Sequence, residues 1–413
     1  SHGWPTNEGR QHALRTMPVL NVKAAPAMAL SGRWRIGLWL SYGLIALGIA
    51  VQVFWLSPQP WPGSMNGPIR FLFDSHDIGV YFRSSAWAVG GGTLYRDVPS
   101  EYPLAANLIF GSIRFLASLV TAPDRQEWGF TVIWILCGLA VLAGCLRLAI
   151  RESRDGVPLI WLLPAVIYFA ALRFDIYPAF ALLLAIAALR RQRVIRSAGW
   201  LGVAIALKGF ALFLVPCMAV YVFHLAGIRK ALIFSVVGLL PHATMTLVTL
   251  LFSGFDGLLT SYLFHAKRSF NGESLWDGLY LRFLVRWFPG LPALLTIGFS
   301  IGAACLRPRS FDRLIDACLV AVVGFTVSTV FYSPQFCLWI LAIASFSERQ
   351  RILLVVYGLC LVTYFYFPVA FDITWNGGSR IPLRIAVTTV SLLRLLLIVT
   401  AVRRTPTAVP TAS

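Results

Sequence analysis

The chain has 413 residues, of which 58% are hydrophobic and 13% are charged, with a formal net charge of +18. A soluble protein needs about 25% charged residues to cover its surface, so the composition excludes an ordinary globular protein and indicates a multi-span membrane protein. The arginines occur in short runs at the ends of apolar segments, as in cytoplasmic loops, and not on a basic face that would bind nucleic acid.

The N-terminal part predicts a tail, one crossing and a long outer loop. Residues 1–33 are polar and basic, and we interpret them as a disordered cytoplasmic tail, not a signal peptide. Arg33 and Arg35 flank the start of the first apolar segment, Trp34–Leu56, which places the N-terminus in the cytoplasm and residues 57–103 outside. Within that first outer loop, Asp77–Val89 mixes apolar and polar residues irregularly, which predicts a helix lying along the membrane interface.

The next segments are constrained by their flanking arginines. Leu104–Val120 and Trp128–Leu146 are both long enough to span, but the arginine runs that follow residues 146 and 189 both belong in the cytoplasm. Leu104–Val120 carries Arg114 at its centre, so we predict it as a second interfacial helix. Residues 157–172 then run outward and residues 176–189 run back, which leaves a hinge at Arg173 and Asp175 on the outer side.

In the second half, the arginine-rich ends of the apolar segments all fall on the cytoplasmic side when each segment is counted as a crossing. Residues 198–227 are predicted as two short helices that meet at Lys208, and residues 231–252 lead to a second outer loop, 253–290. The remaining predicted crossings are 291–306, 314–332, 335–346, 352–369 and 382–402. The expected fold is therefore an all-α polytopic membrane protein, with about twelve transmembrane helices in a single domain over 34–404 and a cytoplasmic tail over 405–413.

The seven cysteines lie within or beside apolar segments and form no C-x-x-C pair. This placement predicts small buried hydrophobic residues and no disulfides or metal ligands.

Charged residues from distant parts of the chain are predicted to meet on the outer face. Asp77 begins the first interfacial helix, where an acid can serve as a helix cap. A second acid at Asp74 and the triple glycine Gly90–Gly92 go beyond what a cap requires. We therefore predict Asp77 as a general base that removes the proton of an attacking hydroxyl.

A basic group in the second outer loop is the candidate phosphate site. It comprises His265, Lys267 and Arg268, and juxtamembrane basic residues of this kind also anchor lipid headgroups. Its outer position runs against the general charge bias, and a departing phosphate needs cations to neutralise its charge. Arg173 and Lys208 are expected to join it, although Lys208 would equally suit a structural role at its helix break.

Five motifs together resemble the polytopic glycosyltransferase-C superfamily, and in particular glycosyltransferase family 87, the polyprenyl-phosphate-sugar-dependent mannosyl- and arabinofuranosyltransferases. The opening loop is also similar to the mannosyltransferase of glycosylphosphatidylinositol anchor synthesis. The motifs, in chain order within about residues 70–345, are DIGVYFRSSAWAVGGGTLYRDVPSEYP, RFDIYPAFALLLAIAALRR, AGWLGVAIALKGFALFLVP, KRSFNGESLWDGL and SPQFCLWIL.

The resemblance implies an inverting glycosyltransferase that moves a sugar from a polyprenyl-phosphate donor to a glycolipid or glycan acceptor. It implies a bacterial plasma membrane and an active site on the outer, periplasmic side. In the family pattern an Asp precedes a Val-Tyr or Val-Phe pair by three residues, which Asp77 fits with Val80 and Tyr81. The remaining acceptor- and sugar-binding candidates are Asp74, Glu101, Trp87, Tyr81, Glu273 and Gln335.

Two departures from the family pattern matter. Some relatives carry Asp-x-Asp, whereas Asp74 and Asp77 are three residues apart with Ser75 after the first. This spacing does not indicate a bidentate metal site, although a divalent ion between these acids and a substrate phosphate stays open. No cofactor is expected to be required, because the lipid phosphate leaves as a stable anion. Relatives commonly carry Tyr-Pro-Pro where this chain has Tyr102, Pro103 and Leu104, so the sugar stays open, with mannose first and arabinofuranose second.

Two interpretations from other classes also stay open. A membrane transporter or lipid flippase would place charges in a membrane cavity, but would predict an internal repeat and acids near mid-membrane. A non-catalytic membrane scaffold would not need acids and bases gathered on one face. The Tyr332–Gln335 segment has a simpler interpretation as a proline-broken helix connection.

Overall fold

The computed structural model describes residues 74, 76–153, 156–266, 268, 274–375 and 378–403. The predicted tails, the predicted crossing Trp34–Leu56 and residues 57–73 of the first outer loop lie outside these residues. The described part is all-α, without strands. Its helices are α1 (His76–Ser84), α2 (Leu104–Val120), α3 (Gln126–Glu152), α4 (Val157–Ile160), α5 (Pro164–Leu172), α6 (Ile176–Arg190), α7 (Val194–Leu207), α8 (Val215–Ala226), α9 (Ile228–Ala266), α10 (Leu275–Gly278), α11 (Arg282–Trp287), α12 (Leu291–Cys305), α13 (Phe311–Ser328), α14 (Cys337–Ala344), α15 (Gln350–Tyr364), α16 (Phe371–Trp375) and α17 (Ile381–Val402).

Several helices are long and apolar enough to cross a membrane, which confirms an integral multi-pass protein. Among the described residues there are five such spans, or six if the bent pair α5 and α6 counts as one. The five are Pro123–Glu152, Gly209–Ala226, Ile228–His265, Gln350–Ala370 and Ile381–Val402. Four predicted crossings or interfacial helices correspond to shorter apolar helices: Leu104–Val120, Val194–Leu207, Leu291–Cys305 and Pro334–Ala344.

Two predicted helix breaks are present. The α5 and α6 helices are bent by 111° at the hinge that contains Arg173 and Asp175. The α7 helix ends at Leu207, and Lys208 adopts an extended conformation before a 3-10 helix over Gly209–Leu214. Both breaks place a charged residue at the end of an apolar helix, where the chain leaves helical geometry.

The predicted second outer loop begins as helix, because α9 continues to Ala266. Its break lies at Gly254, whose φ of 70° and ψ of −175° are not helical. Just before this residue the helix packs on the first loop, where the Ser253 hydroxyl donates to the Leu94 carbonyl at 2.8 Å. Residues 255–264, which are largely apolar, continue as helix. Their composition alone does not distinguish a helix from a loop.

The core is built around α6, whose apolar residues are nearly all buried. The α6 helix packs against α7, α14 and α3, and α3 packs against α5 at Gly138. A Cβ atom on Gly138 would overlap the carbonyl oxygen of Ala170, so only glycine permits this approach. The α9 helix instead exposes many large apolar side chains, as expected of a lipid-facing surface.

Charged residues gather at both ends of α6. At its C-terminal end, Arg190 lies 3.7 Å from Glu348, and Arg191 pairs with Glu152. Nearby in the fold, Arg349 pairs with Asp316 at 3.1 Å and donates to the carbonyl of Arg403. Fifteen helical residues, about 22 Å, separate this arginine-rich end from Asp175 at the other end of α6. The second cluster, around Asp175, is the candidate site.

Candidate functional site

Asp77 is held at the start of α1 by local structure. It lies in the first turn of the helix, where an acid is favoured by the helix dipole. Just before the helix, Asp74 Oδ1 accepts a hydrogen bond from the His76 backbone N–H at 3.0 Å, as in an Asx turn. The α1 helix buries Ile78, Tyr81 and Ser84, which leaves Asp77 on its less buried side. Both predicted acids therefore sit at one helix end.

Arg173 binds both aspartates. Its Nη2 atom donates to Asp74 Oδ2 at 2.9 Å, and its Nη1 atom lies 2.9 Å from Asp77 Oδ2. The Arg173 side chain is 5% exposed and that of Asp74 is 9% exposed, whereas that of Asp77 is 25% exposed. The guanidinium also lies 5.4 Å from the centre of the Phe367 ring. Asp77 is thus the member of this triad that solvent can reach.

Tyr81 is a structural residue in this arrangement, so its predicted contact with a sugar is not supported by its position. It is fully buried and stacks on Phe110 with ring centres 4.6 Å apart. Its phenol oxygen accepts a hydrogen bond from the backbone N–H of Phe174 at 3.2 Å. Because Phe174 lies beside Arg173, this bond ties α1 to the hinge that presents the arginine. A fully buried ring offers no face to a sugar.

The second ion pair joins the two helix breaks. Lys208 Nζ donates to both oxygens of Asp175, at 2.8 and 3.0 Å. The Asp175 side chain is fully buried and that of Lys208 is 20% exposed. The ammonium also lies 5.2 Å from the ring centre of Trp339 and 5.4 Å from that of Phe336. The lysine therefore bridges the break in α7 and the hinge between α5 and α6.

The third ion pair connects the first loop with the end of α9. Arg268 Nη2 donates to Glu101 Oε2 at 2.9 Å. His265 Nε2 lies 3.1 Å from the Glu101 backbone oxygen, a distance that fits an Nε2–H donor. Burial raises the pKa of Glu101, against the opposing effect of Arg268. Lys208 Nζ lies 5.9 Å from the ring centre of Tyr102, the residue after Glu101, which places this pair near the second one.

The loop that carries Glu101 is shaped by glycines and by a buried asparagine. Gly90 and Gly92 have φ values of 88° and 103°, which side-chain-bearing residues rarely adopt. Asn107 of α2 is fully buried, and its Nδ2 donates to the Tyr102 carbonyl at 2.8 Å and to the Tyr95 hydroxyl at 3.1 Å. These bonds hold the part of the loop that follows the glycine turn against α2, next to the ion pairs.

The other predicted site residues lie at the margins. Trp87 is half-buried against α2, where its ring leaves no room for a Cβ on Gly111. Its Nε1 atom is buried without a hydrogen-bond partner among the described residues. Gln335 is buried in a 3-10 helix beside Phe336, one of the rings near Lys208. Lys267 and Glu273 lie outside the described residues.

Two contributors were not among the predicted site residues. Asp175, recognised only as part of the hinge, is the partner of Lys208, and Asn107 organises the loop around Glu101. Each is a single polar residue within or between apolar segments, and such residues carry a cost in a membrane protein that a partner must offset. That isolation is the sequence signal by which they could have been identified.

The described cluster combines a reachable carboxylate with three cations. Asp74, Asp77, Glu101 and Asp175 carry four negative charges, and Arg173, Lys208 and Arg268 carry three positive ones, which leaves a net charge of −1. Asp77 Oδ1 makes no hydrogen bond to the described residues, so one oxygen can accept a proton. Within the described part of the chain, no group of three or more His, Cys, Asp or Glu side chains has an arrangement that would hold a metal ion.

Comparison with known proteins found no matching family model, no matching curated protein and no matching solved structure.

Proposed function

We propose that the protein is an inverting glycosyltransferase that transfers a sugar from a polyprenyl-phosphate donor to a glycolipid or glycan acceptor. The proposal rests on the exposure and the contacts of the Asp77 carboxylate. It is the more exposed of the two carboxylates joined to Arg173, it is fixed by a buried guanidinium, and its Oδ1 atom makes no hydrogen bond to the described residues. A fixed carboxylate with an open oxygen suits a general base.

In the proposed reaction, Asp77 takes the proton of an acceptor hydroxyl as that oxygen bonds to the anomeric carbon. The bond between the anomeric carbon and the phosphate oxygen breaks at the same time. The lipid phosphate leaves as an anion, and attack from the opposite face inverts the anomeric centre. The phosphate needs no protonation by the enzyme, provided that cations neutralise its charge.

Arg173 has a different role in this proposal from the phosphate contact expected from the sequence. It is almost fully buried and already contacts two carboxylates, so little of it can reach a substrate. It is better suited to position Asp77, with Asp74 fixing the arginine and Tyr81 fixing the hinge.

We therefore assign the donor phosphate to the cations nearer the surface, Arg268 and Lys208. Arg268 and Lys208 are 27% and 20% exposed, and His265 lies beside Glu101. Arg268 is engaged by Glu101, whose ionised form is disfavoured by burial. In this proposal a phosphate replaces Glu101 on Arg268, with Lys267 as a further candidate from its sequence position.

We further propose a glycosyltransferase-C-type fold, with about twelve crossings and the site on the outer face of the plasma membrane. The arginine-rich end of α6 supports this orientation, because basic residues concentrate in cytoplasmic loops. A cysteine-accessibility experiment tests it. Single cysteines replacing exposed Arg96 and Arg307 are expected to react with an impermeant reagent from the outside and from the cytoplasm, respectively, and the reverse pattern would contradict the orientation.

The sugar is proposed as mannose first and arabinofuranose second. The test is incubation of the purified protein with polyprenyl-phosphate mannose and, separately, with polyprenyl-phosphate arabinofuranose, each with a membrane glycolipid extract. Mass spectrometry should show acceptor products heavier by one hexose or one pentose. Absence of both products, from protein that stays folded, would count against the proposed function.

A transporter or flippase is the second candidate, favoured by one observation. Two discontinuous helix pairs meet at the ion pair between Asp175 and Lys208, and transporters often build ion sites from such breaks. The two functions differ in their product. Translocation of a labelled polyprenyl-phosphate sugar across vesicles without formation of a new glycosidic bond would favour the transporter.

A further inference from the structure

A cleft distinct from the acid–base cluster opens between α16 and the start of α17. It has a volume of about 460 Å³ and is lined by Phe371, Thr374, Arg380 and Leu383. Its lining is mainly apolar, with Arg380 exposed at its rim. An open apolar cleft with a cation at its edge matches a lipid, with acyl chains along the apolar wall and a headgroup at the arginine.

A second exposed arginine stands beside the first. Arg384 follows Arg380 by one helical turn, and its backbone N–H donates to the Arg380 carbonyl at 3.0 Å. Its Nη1 atom lies 3.4 Å from the Tyr280 hydroxyl. Neither arginine has a carboxylate within ion-pair distance among the described side chains. Both occupy the beginning of α17, where cations are disfavoured by the helix dipole, so helix stability does not explain them.

The surrounding side chains mark the depth of the lipid headgroups. The α10 and α11 arm lies against α17, where Thr388 Oγ1 donates to the Gly278 carbonyl at 3.3 Å. This arm exposes the aromatic side chains of Tyr280, Phe283 and Trp287. Tyrosine and tryptophan concentrate at the interface between the acyl chains and water, which is also where lipid phosphates lie. The two arginines are therefore at the level of the phosphates.

We propose that this cleft binds an anionic glycerophospholipid, with its phosphodiester on Arg380 and Arg384 and its acyl chains against Leu383 and Phe371. The lining ring of Phe371 lies 5.3 Å from that of Phe367, which in turn lies 5.4 Å from the Arg173 guanidinium. A lipid in the cleft thus supports the aromatic side chain that packs under the arginine of the acid–base cluster. The proposal does not depend on the reaction catalysed there.

The experiment measures lipid retention by native mass spectrometry of the full chain in neutral detergent. Phosphatidylglycerol is compared with phosphatidylcholine of the same acyl chains, and inorganic phosphate is a separate arm. The wild-type protein is expected to prefer phosphatidylglycerol. Each arginine at a membrane surface contributes about fivefold to anionic-lipid binding, so Arg380→Gln/Arg384→Gln should lower the preference about thirtyfold. Arg380→Lys/Arg384→Lys should keep most of it.

The matched control is Arg403→Gln, which removes an exposed arginine from the opposite end of the same helix and should leave the preference unchanged. An unchanged preference in the double glutamine variant would overturn the proposal, as would equal retention of the two lipids by the wild type. Displacement of phosphatidylglycerol by millimolar inorganic phosphate would show a site for a free anion instead. If the double variant does not fold, Leu383→Trp, which fills the cleft and keeps every charge, should reduce retention; full retention there overturns the proposal.

Discussion

The sharpest test of the proposed site is Asp77→Asn, because the substitution removes a charge and a proton acceptor while keeping the shape of the side chain. Asp77 Oδ2 lies 2.9 Å from Arg173 Nη1, and Oδ1 has no hydrogen-bond partner in the part of the chain that the structure describes. If Asp77 is the base, an amide at this position cannot take up the acceptor proton. General-base catalysis contributes about 10²- to 10⁴-fold, so turnover should fall by that factor, or by about 3 to 5 kcal/mol in the barrier.

The stability of the same variant should change little. Arg173 keeps its 2.9 Å hydrogen bond to Asp74, so the buried cation still has an anion. Asp77 is partly exposed, and partly exposed ion pairs contribute at most about 1 kcal/mol. Thermal unfolding in detergent should therefore be nearly that of the wild type. The donor KM should be unchanged because the proposed phosphate contacts are Arg268 and Lys208, not Asp77.

The matched control is Asp74→Asn. Asp74 is buried and makes a charge-assisted hydrogen bond to Arg173, so its loss should cost about 2 kcal/mol of stability. The remaining Asp77 keeps its proton-accepting oxygen, so turnover should fall less than in Asp77→Asn. The assay is sugar transfer to the acceptor, measured alongside thermal unfolding. If Asp77→Asn retained more than a tenth of wild-type turnover, or if Asp74→Asn were the less active of the two, the assignment of the base would be refuted.

Three further substitutions test the pairs and the packing around the site. Lys208→Met leaves the fully buried Asp175 without its cation and should lower the free energy of unfolding by about 3 kcal/mol. Adding Asp175→Asn should restore stability, and a double variant as unstable as the single one would contradict the pairing. Burial raises the pKa of Glu101, so wild-type stability relative to Glu101→Gln should fall as pH rises through that pKa, above the ordinary 4.5; parallel pH curves would contradict this. Gly138→Ala should destabilise by about 1 to 3 kcal/mol because its Cβ overlaps a backbone carbonyl of α5, whereas Gly358→Ala, with open space around it, should not.

The location of the helix breaks could be predicted from the sequence because charge and apolar length constrain them strongly. An arginine and an aspartate between two apolar runs cannot lie inside a lipid-exposed helix without partners, so a hinge at Arg173 and Asp175 follows. The same reasoning places a break at Lys208, and the structure has both. The predicted start of the second outer loop at residue 253 was wrong, because the helix continues to Ala266 through residues whose composition is compatible with either a helix or a loop.

The partners of the charges could not be predicted, because pairing depends on contacts between residues far apart in the chain. Arg173 and Asp74 are 99 positions apart, and Arg268 and Glu101 are 167 apart. The sequence therefore predicts Arg173 beside an incoming phosphate, whereas in the structure Arg173 lies between two carboxylates. The environment of Tyr81 could not be predicted for the same reason, since a tyrosine one turn after Asp77 can face solvent or the core. In the structure its ring packs on Phe110 in the core.

The helix ends explain how a low-dielectric interior tolerates so many charges. Arg173 and Lys208 directly follow the C-terminal ends of α5 and α7, where their backbone N–H groups bond to carbonyls of the last turn. Asp175 directly precedes the N-terminal end of α6, without a hydrogen bond from its side chain to that end. Cations at C-terminal ends and anions at N-terminal ends are both favoured by the helix dipole. Each buried charge is thus stabilised by a helix end as well as by its ion partner. Asp77 also lies at a helix N-terminal end, but among the described residues nothing bonds to its Oδ1 atom, and that difference separates the proposed base from Asp74 and Asp175.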